Sequence, residues 1–305
     1  MRGTSPRMTT LRVCCHWVAL ITAMLFSVFS NSGEATGKIY GDQSATDRLL
    51  TKLYGEPRPD GVRIWHVPDD LAVDRSQGMP GVRAEVRPLI ARAYRQGGVD
   101  RFLLVTSIND PNSTCHSCHV LIDAANFERV GGDWKLRTPR RGLTMAGSFG
   151  EPPKIEFRRL GPDEIGFALM DEFGAQGGFE SRVSLYRASS SGFDLVLSAD
   201  TMAQSHPFAI GPDDSPSADA VCDEVDYTFT PLSSTTEGLF DLSVLIRMGS
   251  RSVRAEPHGP NPCEIPVERS PHCRKLRTRA VFSGATYCQK DNLKGVRPAL
   301  RLCGD

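Results

Sequence analysis

Short apolar runs separated by glycine-containing turns recur over residues 130–290 of this 305-residue chain, and they constrain its fold more than any other feature. The segments Gly131–Asp133, Gly161–Asp163 and Ser190–Gly192 each separate two runs with apolar residues at alternate positions. Alternation places the apolar side chains on one face of a strand, and a short turn returns the next strand antiparallel. About ten such strands predict a mainly β fold, with antiparallel sheets in a sandwich or open barrel-like arrangement.

One or two helices are predicted before these strands, which makes the class α+β. The first begins near Ser44, a residue type that caps helix N-termini, and Gly55 can close it. The second is predicted over Glu85–Gln96, where apolar residues follow the helical spacing and Pro88 falls in the first turn. Residues Arg101–Ile108 are predicted to form the next strand, because they are short and rich in β-branched residues.

Residues 1–32 have the pattern of a secretory signal peptide. Three arginines precede the apolar run Val13–Phe29, and Ser30–Ser32 places small residues at alternate positions. A single uncleaved membrane anchor is the alternative, because the run is near the lower limit of roughly 17 residues for spanning a bilayer. We therefore predict an exported protein, periplasmic or secreted, without a transmembrane segment after the signal is removed.

Cysteine usage fits this compartment. Cleavage would remove Cys14 and Cys15 and leave seven of the nine cysteines, which should pair in an oxidising environment. Seven is odd, so one thiol stays free or pairs with another chain, and the connectivity cannot be deduced from spacing. The disulfide candidates are Cys115, Cys118, Cys222, Cys263, Cys273, Cys288 and Cys303.

The segment Ser113–His119 reads S-T-C-H-S-C-H and is the densest group of chemically active side chains. One interpretation is a disulfide between Cys115 and Cys118 that locks the end of a strand, with His116 and His119 as polar neighbours. A redox-active disulfide is a second, since a thiolate between histidines would react faster. Zinc is a third, but the four side chains would have to surround one ion within five residues, so more distant ligands would be needed.

The spacing of Cys115, Cys118 and His119 also resembles the haem-attachment motif of c-type cytochromes. The resemblance covers the five residues from Cys115 to His119. It implies two thioether bonds from the cysteines, a proximal iron ligand at His119 and a covalently attached haem c, hence an electron carrier.

Charge and motifs narrow the remaining possibilities. The net charge is zero, which gives no reason to expect nucleic-acid binding. No catalytic residue is predicted, because the chain contains no G-x-S-x-G, H-E-x-x-H, Walker or dinucleotide glycine motif.

Residues 269–301 carry nine basic residues against one acid, which would suit binding to an anionic cell-envelope component or to an acidic protein. The alternative is a tail that is cross-linked by disulfides and whose basic side chains only face solvent. The binding candidates are Arg274, Lys275, Arg277 and Arg279 within that tail, together with His116 of the cysteine-histidine cluster.

The predicted organisation is a signal peptide at 1–32, a first unit at 33–204 with the helical part and the cysteine-histidine cluster, a Pro- and Asp-rich loop at 205–224, and a cysteine-rich β unit at 225–305. One continuous domain is the alternative. The predicted function is an exported, disulfide-stapled binding or structural module of unknown ligand, without a cofactor and with no predicted catalysis. A c-type haem electron carrier is the competing hypothesis.

Overall fold

The computed structural model describes residues 43–69, 71, 81–112, 115, 118–175, 178–205, 220–253, 274–291, 293, 300 and 303. Within these residues the chain forms one helix and thirteen strands. The elements are α1 (Gln43–Tyr54), β1 (Arg63–His66), β2 (Arg83–Gln96), β3 (Val99–Asn109), β4 (Val120–Val130), β5 (Asp133–Ala146), β6 (Lys154–Arg159), β7 (Ile165–Ala175), β8 (Gly178–Ala188), β9 (Phe193–Ser205), β10 (Ala220–Thr236), β11 (Leu239–Val253), β12 (Arg274–Ser283) and β13 (Thr286–Gln289).

The strands form two antiparallel sheets in which each strand pairs with the next along the chain. The first sheet has the order β1-β2-β3-β4-β5, and the second has the order β13-β12-β11-β10-β9-β8-β7-β6. The chain passes from one sheet to the other between β5 and β6. The predicted mainly β, antiparallel fold is confirmed.

Local turn chemistry explains the hairpins. The predicted turns at 131–133, 161–163 and 190–192 join β4 to β5, β6 to β7 and β8 to β9. Val130 pairs with Asp133 across the first of them, and the two intervening glycines have φ of 61° and 93°. A two-residue turn with positive φ at both positions matches the right-handed twist of the flanking strands, and glycine adopts it without steric cost.

Of the two predicted helices, the first is confirmed and the second is wrong. Helix α1 ends at Gly55, which has a φ of 85° and donates its N–H to the Thr51 carbonyl at 2.9 Å. The second helix, predicted over Glu85–Gln96, is wrong: these residues form most of β2, which pairs with β1 and β3.

A β-bulge in β2 accounts for this error. The register with β3 shifts between Pro88 and Ile90, so one extra residue enters the strand. The bulge changes the phase of the alternation: Val86 and Ala91 pack in the same core cluster, whereas Ile90 packs in another. Val86 and Ile90 are four positions apart, which imitates helical spacing, although the backbone is extended and the two side chains pack on opposite faces of the sheet.

Both faces of the first sheet are covered. Phe102 and Leu104 of β3 pack with Leu49 of α1, while Leu103 of β3 packs with Phe167 of the second sheet. Successive side chains of a strand point to opposite faces, and the seven consecutive residues Phe102–Ile108 of β3 are all buried, so both faces of this strand are covered. The first sheet therefore lies between α1 and the second sheet, as in a sandwich.

The later strands of the second sheet curl around a core of their own. Leu197 of β9, Val244 of β11 and Tyr287 of β13 belong to one buried cluster. The Thr286 hydroxyl donates to the Val196 carbonyl at 2.9 Å and so joins β13 to β9, which are not neighbours in the sheet. Strands β9–β13 therefore form a half-barrel curl. The sandwich and the open barrel-like arrangement, predicted as alternatives, are thus both present in this fold.

The predicted loop at 205–224 lies mostly outside the described residues, as does the predicted signal peptide at 1–32. The strands on either side of that loop, β9 and β10, pair from Met202 to Ser205 with Asp223 to Asp226. Strands from both predicted units thus belong to one sheet. No helix in the described part of the chain is long and apolar enough to cross a membrane.

Candidate functional site around the Cys115–Cys118 disulfide

The disulfide between Cys115 and Cys118 lies in the connection between β3 and β4, at one end of the first sheet. The two Cα atoms are 5.0 Å apart. The Cys118 N–H donates to the Cys115 carbonyl at 2.9 Å, and the Cys115 N–H donates to Cys118 Sγ at 3.2 Å. Cys115 is exposed and Cys118 is half-buried. A covalent bond and hydrogen bonds therefore close one small ring that begins at an exposed residue, Cys115.

The connection between β5 and β6 braces this ring. The Gly150 N–H donates to the Cys118 carbonyl at 2.8 Å, and His119 Nδ1 donates to the Gly147 carbonyl at 2.5 Å. The Gly147 N–H in turn donates to Asp171 Oδ1 of β7 at 2.9 Å. The disulfide loop is thus attached through backbone and imidazole groups to a second loop, and that loop is attached through the Asp171 carboxylate to the second sheet.

The backbone of the bracing loop is unusually tight. Gly147 has a φ of 84°, and a Cβ atom there would lie 1.9 Å from the Glu151 carbonyl oxygen, so no other residue fits without a shift. Ser148 and Glu151 pair with each other across the turn. Phe149 at the tip has a φ of 55° and remains 53% exposed. An exposed aromatic side chain therefore belongs to the loop whose backbone hydrogen-bonds to Cys118.

A buried polar network holds the rest of this sheet together, and sequence patterns did not reveal it. Asp123 of β4 accepts hydrogen bonds from Tyr54 at 3.0 Å, from Arg141 at 2.7 Å and from the Gly142 N–H at 2.7 Å. The Tyr54 hydroxyl also hydrogen-bonds Thr106 at 2.7 Å. Burial, with the negative charge of Asp123 added, raises the pKa of Tyr54 far above its ordinary value.

This network attaches α1 to the sheet. Arg141 donates to the Leu53 carbonyl at 2.8 Å, and its guanidinium carbon lies 4.2 Å from the Tyr54 ring and 4.8 Å from the Trp65 ring. The Asp123 carboxylate is almost completely buried, and both of its oxygens accept hydrogen bonds. A carboxylate committed in this way has a structural role, because it cannot reach a solvent-borne substrate.

The basic residues predicted to bind a partner lie on β12, in the other sheet. Arg274, Lys275 and Arg277 are exposed. Arg279 instead pairs with the buried Asp241 of β11. Burial of Asp241 opposes its ionised form, but hydrogen bonds from Thr236, Ser234 and Arg279 outweigh it and hold the pKa of that carboxyl below its ordinary value. Arg279 is exposed like the other three, and its charge is paired with a buried carboxylate.

Of the other cysteines predicted to form disulfides, some lie within the described residues and some outside them. Cys288 of β13 forms a disulfide with Cys303, and the Cys303 N–H donates to the Gln289 carbonyl at 3.0 Å. The candidates Cys263, Cys273 and His116 lie outside the described residues, as does the side chain of Cys222. Their pairing, and the fate of the odd cysteine, remain predictions.

Within the described ranges, no group of three or more His, Cys, Asp or Glu side chains is placed to hold a metal ion. Comparison of the chain with protein-family models, with curated proteins and with solved structures found no match. The function must therefore be argued from the site alone.

Proposed function

We propose that this protein is an exported, disulfide-stapled β-rich binding module that presents the Cys115–Cys118 loop and Phe149 to a partner. The observation that carries the proposal is the bracing of these two loops against each other by the Gly150–Cys118 and His119–Gly147 hydrogen bonds. Binding costs less conformational entropy when the contacting groups are already ordered, and exposed aromatic side chains often supply much of the binding energy.

Export is supported by two independent features. The described residues contain two disulfides, and disulfides persist where thiols are oxidised. Residues 1–32 have the charge, the apolar run and the small residues of a secretory signal.

Expression of the full chain in an exporting host tests this part of the proposal. Intact mass should place the mature N-terminus near residue 33, and a non-reducing digest should contain the Cys115–Cys118 peptide in its oxidised form, two hydrogens lighter than the reduced peptide. A full-length cytosolic product with reduced cysteines would contradict the proposal.

Binding is tested by sedimentation of the exported protein with isolated cell-envelope material. Phe149→Ala should weaken binding, because it removes the exposed ring and leaves a non-glycine residue at the same backbone angle. Leu195→Ala is the matched control, since Leu195 of β9 is also a large exposed apolar side chain, at 45%. Equal binding by the two variants, or none by the wild type, would contradict a role for Phe149.

The basic residues of β12 offer a second surface for the same assay. If an anionic component is recognised there, the double variant Lys275→Gln/Arg277→Gln should lose the binding that the wild type shows at low salt. Because exposed charges are screened by ions, that binding should also decrease as salt is raised. A salt-independent interaction would instead favour the Phe149 surface.

A c-type haem carrier is the second candidate. The His119 Nδ1 N–H donates to a backbone carbonyl, as is common for ligating histidines, so Nε2 is the ring nitrogen that would bind the iron. Cys115 and Cys118 supply the sulfur atoms for attachment, provided that those sulfurs are not joined to each other. Co-expression with haem-maturation machinery should then give a Soret band and a covalent mass increase. A colourless product of plain polypeptide mass would contradict this candidate.

A further inference from the structure

We infer that the Cys115–Cys118 bond is a redox-active disulfide that exchanges with an external dithiol, whereas Cys288–Cys303 is an inert structural bond. The inference rests on the proposed function in one respect, since export is what allows the bond to form. It assigns a reaction to the Cys115–Cys118 loop, which the proposed function uses as a binding surface.

Access to one sulfur is the first requirement for thiol–disulfide exchange, because an incoming thiolate must approach along the S–S axis. Cys115 is an exposed residue and Cys118 is half-buried. We therefore assign the attacked sulfur to Cys115, the more accessible residue, and the displaced sulfur to Cys118.

Stabilisation of the displaced sulfur is the second requirement. The Cys115 N–H lies 3.2 Å from Cys118 Sγ, within hydrogen-bonding distance. A disulfide sulfur is a weak acceptor, but hydrogen bonds strengthen when the acceptor becomes charged, so this N–H favours the state in which Cys118 leaves as a thiolate. Exchange is faster when the leaving thiolate is stabilised.

The exchange balances as two steps. One thiolate of the dithiol attacks Cys115 Sγ, a mixed disulfide forms, the Cys115–Cys118 bond breaks, and its electron pair goes to Cys118 Sγ. The second thiolate of the dithiol then attacks its partner sulfur in the mixed disulfide and releases Cys115 as a thiolate. The dithiol is oxidised to a disulfide, and the protein takes up two electrons and, from the dithiol through solvent, two protons.

The fold retains the site after reduction. The Gly150–Cys118 and His119–Gly147 hydrogen bonds use backbone and imidazole groups, not sulfur, so both remain available to the reduced protein. Only three positions separate the cysteines in sequence, so reclosure loses little chain entropy. Reduction and reoxidation can thus alternate without unfolding of the sheet.

The Cys288–Cys303 bond also has one exposed cysteine, Cys303, but it lacks a stabilised leaving sulfur. Cys288 is 1% exposed and lies between Tyr287 and Gln289, which are also buried. Attack on the exposed Cys303 would expel Cys288 as a thiolate in apolar surroundings, which disfavours the charged form. The same molecule therefore contains a matched control.

The first test measures reduction of both bonds in the oxidised, exported wild-type protein. Dithiothreitol is added, samples are quenched with an alkylating agent, and each cysteine peptide is quantified by mass spectrometry. We expect Cys115–Cys118 to be reduced more than about tenfold faster than Cys288–Cys303. Equal rates, or the reverse order, would overturn the inference.

The second test measures turnover. With dithiothreitol as the reductant, the wild-type protein should accelerate reduction of insulin disulfides, and the double variant Cys115→Ser/Cys118→Ser should not. Wild-type protein alkylated at Cys115 and Cys118 after selective reduction provides the same comparison without a mutation. Absence of wild-type turnover overturns the inference but leaves the proposed function intact, because a formed and exported yet inert disulfide satisfies the binding proposal.

Discussion

The most informative perturbation of the first sheet is Asp123→Ala. The substitution removes the acceptor shared by Tyr54, Arg141 and the Gly142 N–H, and it leaves the Arg141 charge without its partner. Asp123 is only 2% exposed and Arg141 28% exposed, so water can replace little of the lost interaction. Breaking a buried ion pair by removing one partner costs about 3–5 kcal/mol, and we expect the free energy of unfolding to fall by that amount.

Urea unfolding monitored by tryptophan fluorescence is a suitable assay, because Trp65 lies beside Arg141. The matched control is Glu128→Ala on the same strand, where an acid also pairs with an arginine of β5, Arg137 at 2.7 Å, but at the surface. Exposed pairs contribute little, so this variant should unfold close to the wild-type midpoint. If Asp123→Ala and Glu128→Ala shift the midpoint equally, the assignment of Asp123 as a buried anchor is refuted.

Three further predictions concern other parts of the structure. Gly147→Ala should displace the loop between β5 and β6, because the added Cβ would overlap the Glu151 carbonyl. The Gly150 amide should then exchange hydrogen faster, because its hydrogen bond to the Cys118 carbonyl is lost. An unchanged exchange rate at Gly150 would contradict the prediction. Asp241→Asn should destabilise the protein most near neutral pH, because a carboxyl whose pKa is lowered in the folded state stabilises the fold above its unfolded-state pKa. That contribution is lost as pH falls through the folded-state pKa. Unfolding curves at several pH values should therefore show that the difference in stability from wild type shrinks on acidification, and a constant difference would refute the prediction. Arg63→Ala should lower hydrogen-exchange protection in α1, since buried Arg63 donates to the Thr51 hydroxyl and to the Gly55 carbonyl; unaltered protection would show that it does not anchor the helix.

The two exposed features of the candidate site suggest how binding and redox chemistry could be connected. Phe149 lies in the loop that hydrogen-bonds to Cys118 and His119, so we expect a client disulfide bound through the ring to be held close to the cysteine pair that we infer to be redox-active. A client held in this way would react at a raised effective concentration. Comparison of insulin-reduction rates for the wild type and Phe149→Ala tests this connection directly.

Local signals explain what could be predicted from the sequence. The hairpin turns depend on a few adjacent residues, as in Gly131–Asp133, whose glycines adopt positive φ whatever lies elsewhere in the chain. Helix α1 likewise required only an apolar face and Gly55. The Cys115–Cys118 disulfide was one of the alternatives because three positions of separation bring the sulfurs together locally.

The tertiary structure alone decided the rest, because the decisive contacts join residues far apart in the chain. Tyr54 and Asp123 are 69 positions apart, and nothing in either local segment identifies the partner. The β2 segment shows the same limit: its apolar spacing suits a helix, but pairing with β3 satisfies its backbone and the Pro88–Ile90 bulge absorbs the extra residue. The sequence by itself determined the turns, the alternation and the small disulfide ring. Packing determined which loop braces that ring and which charges are buried, since burial and pairing depend on the whole sheet.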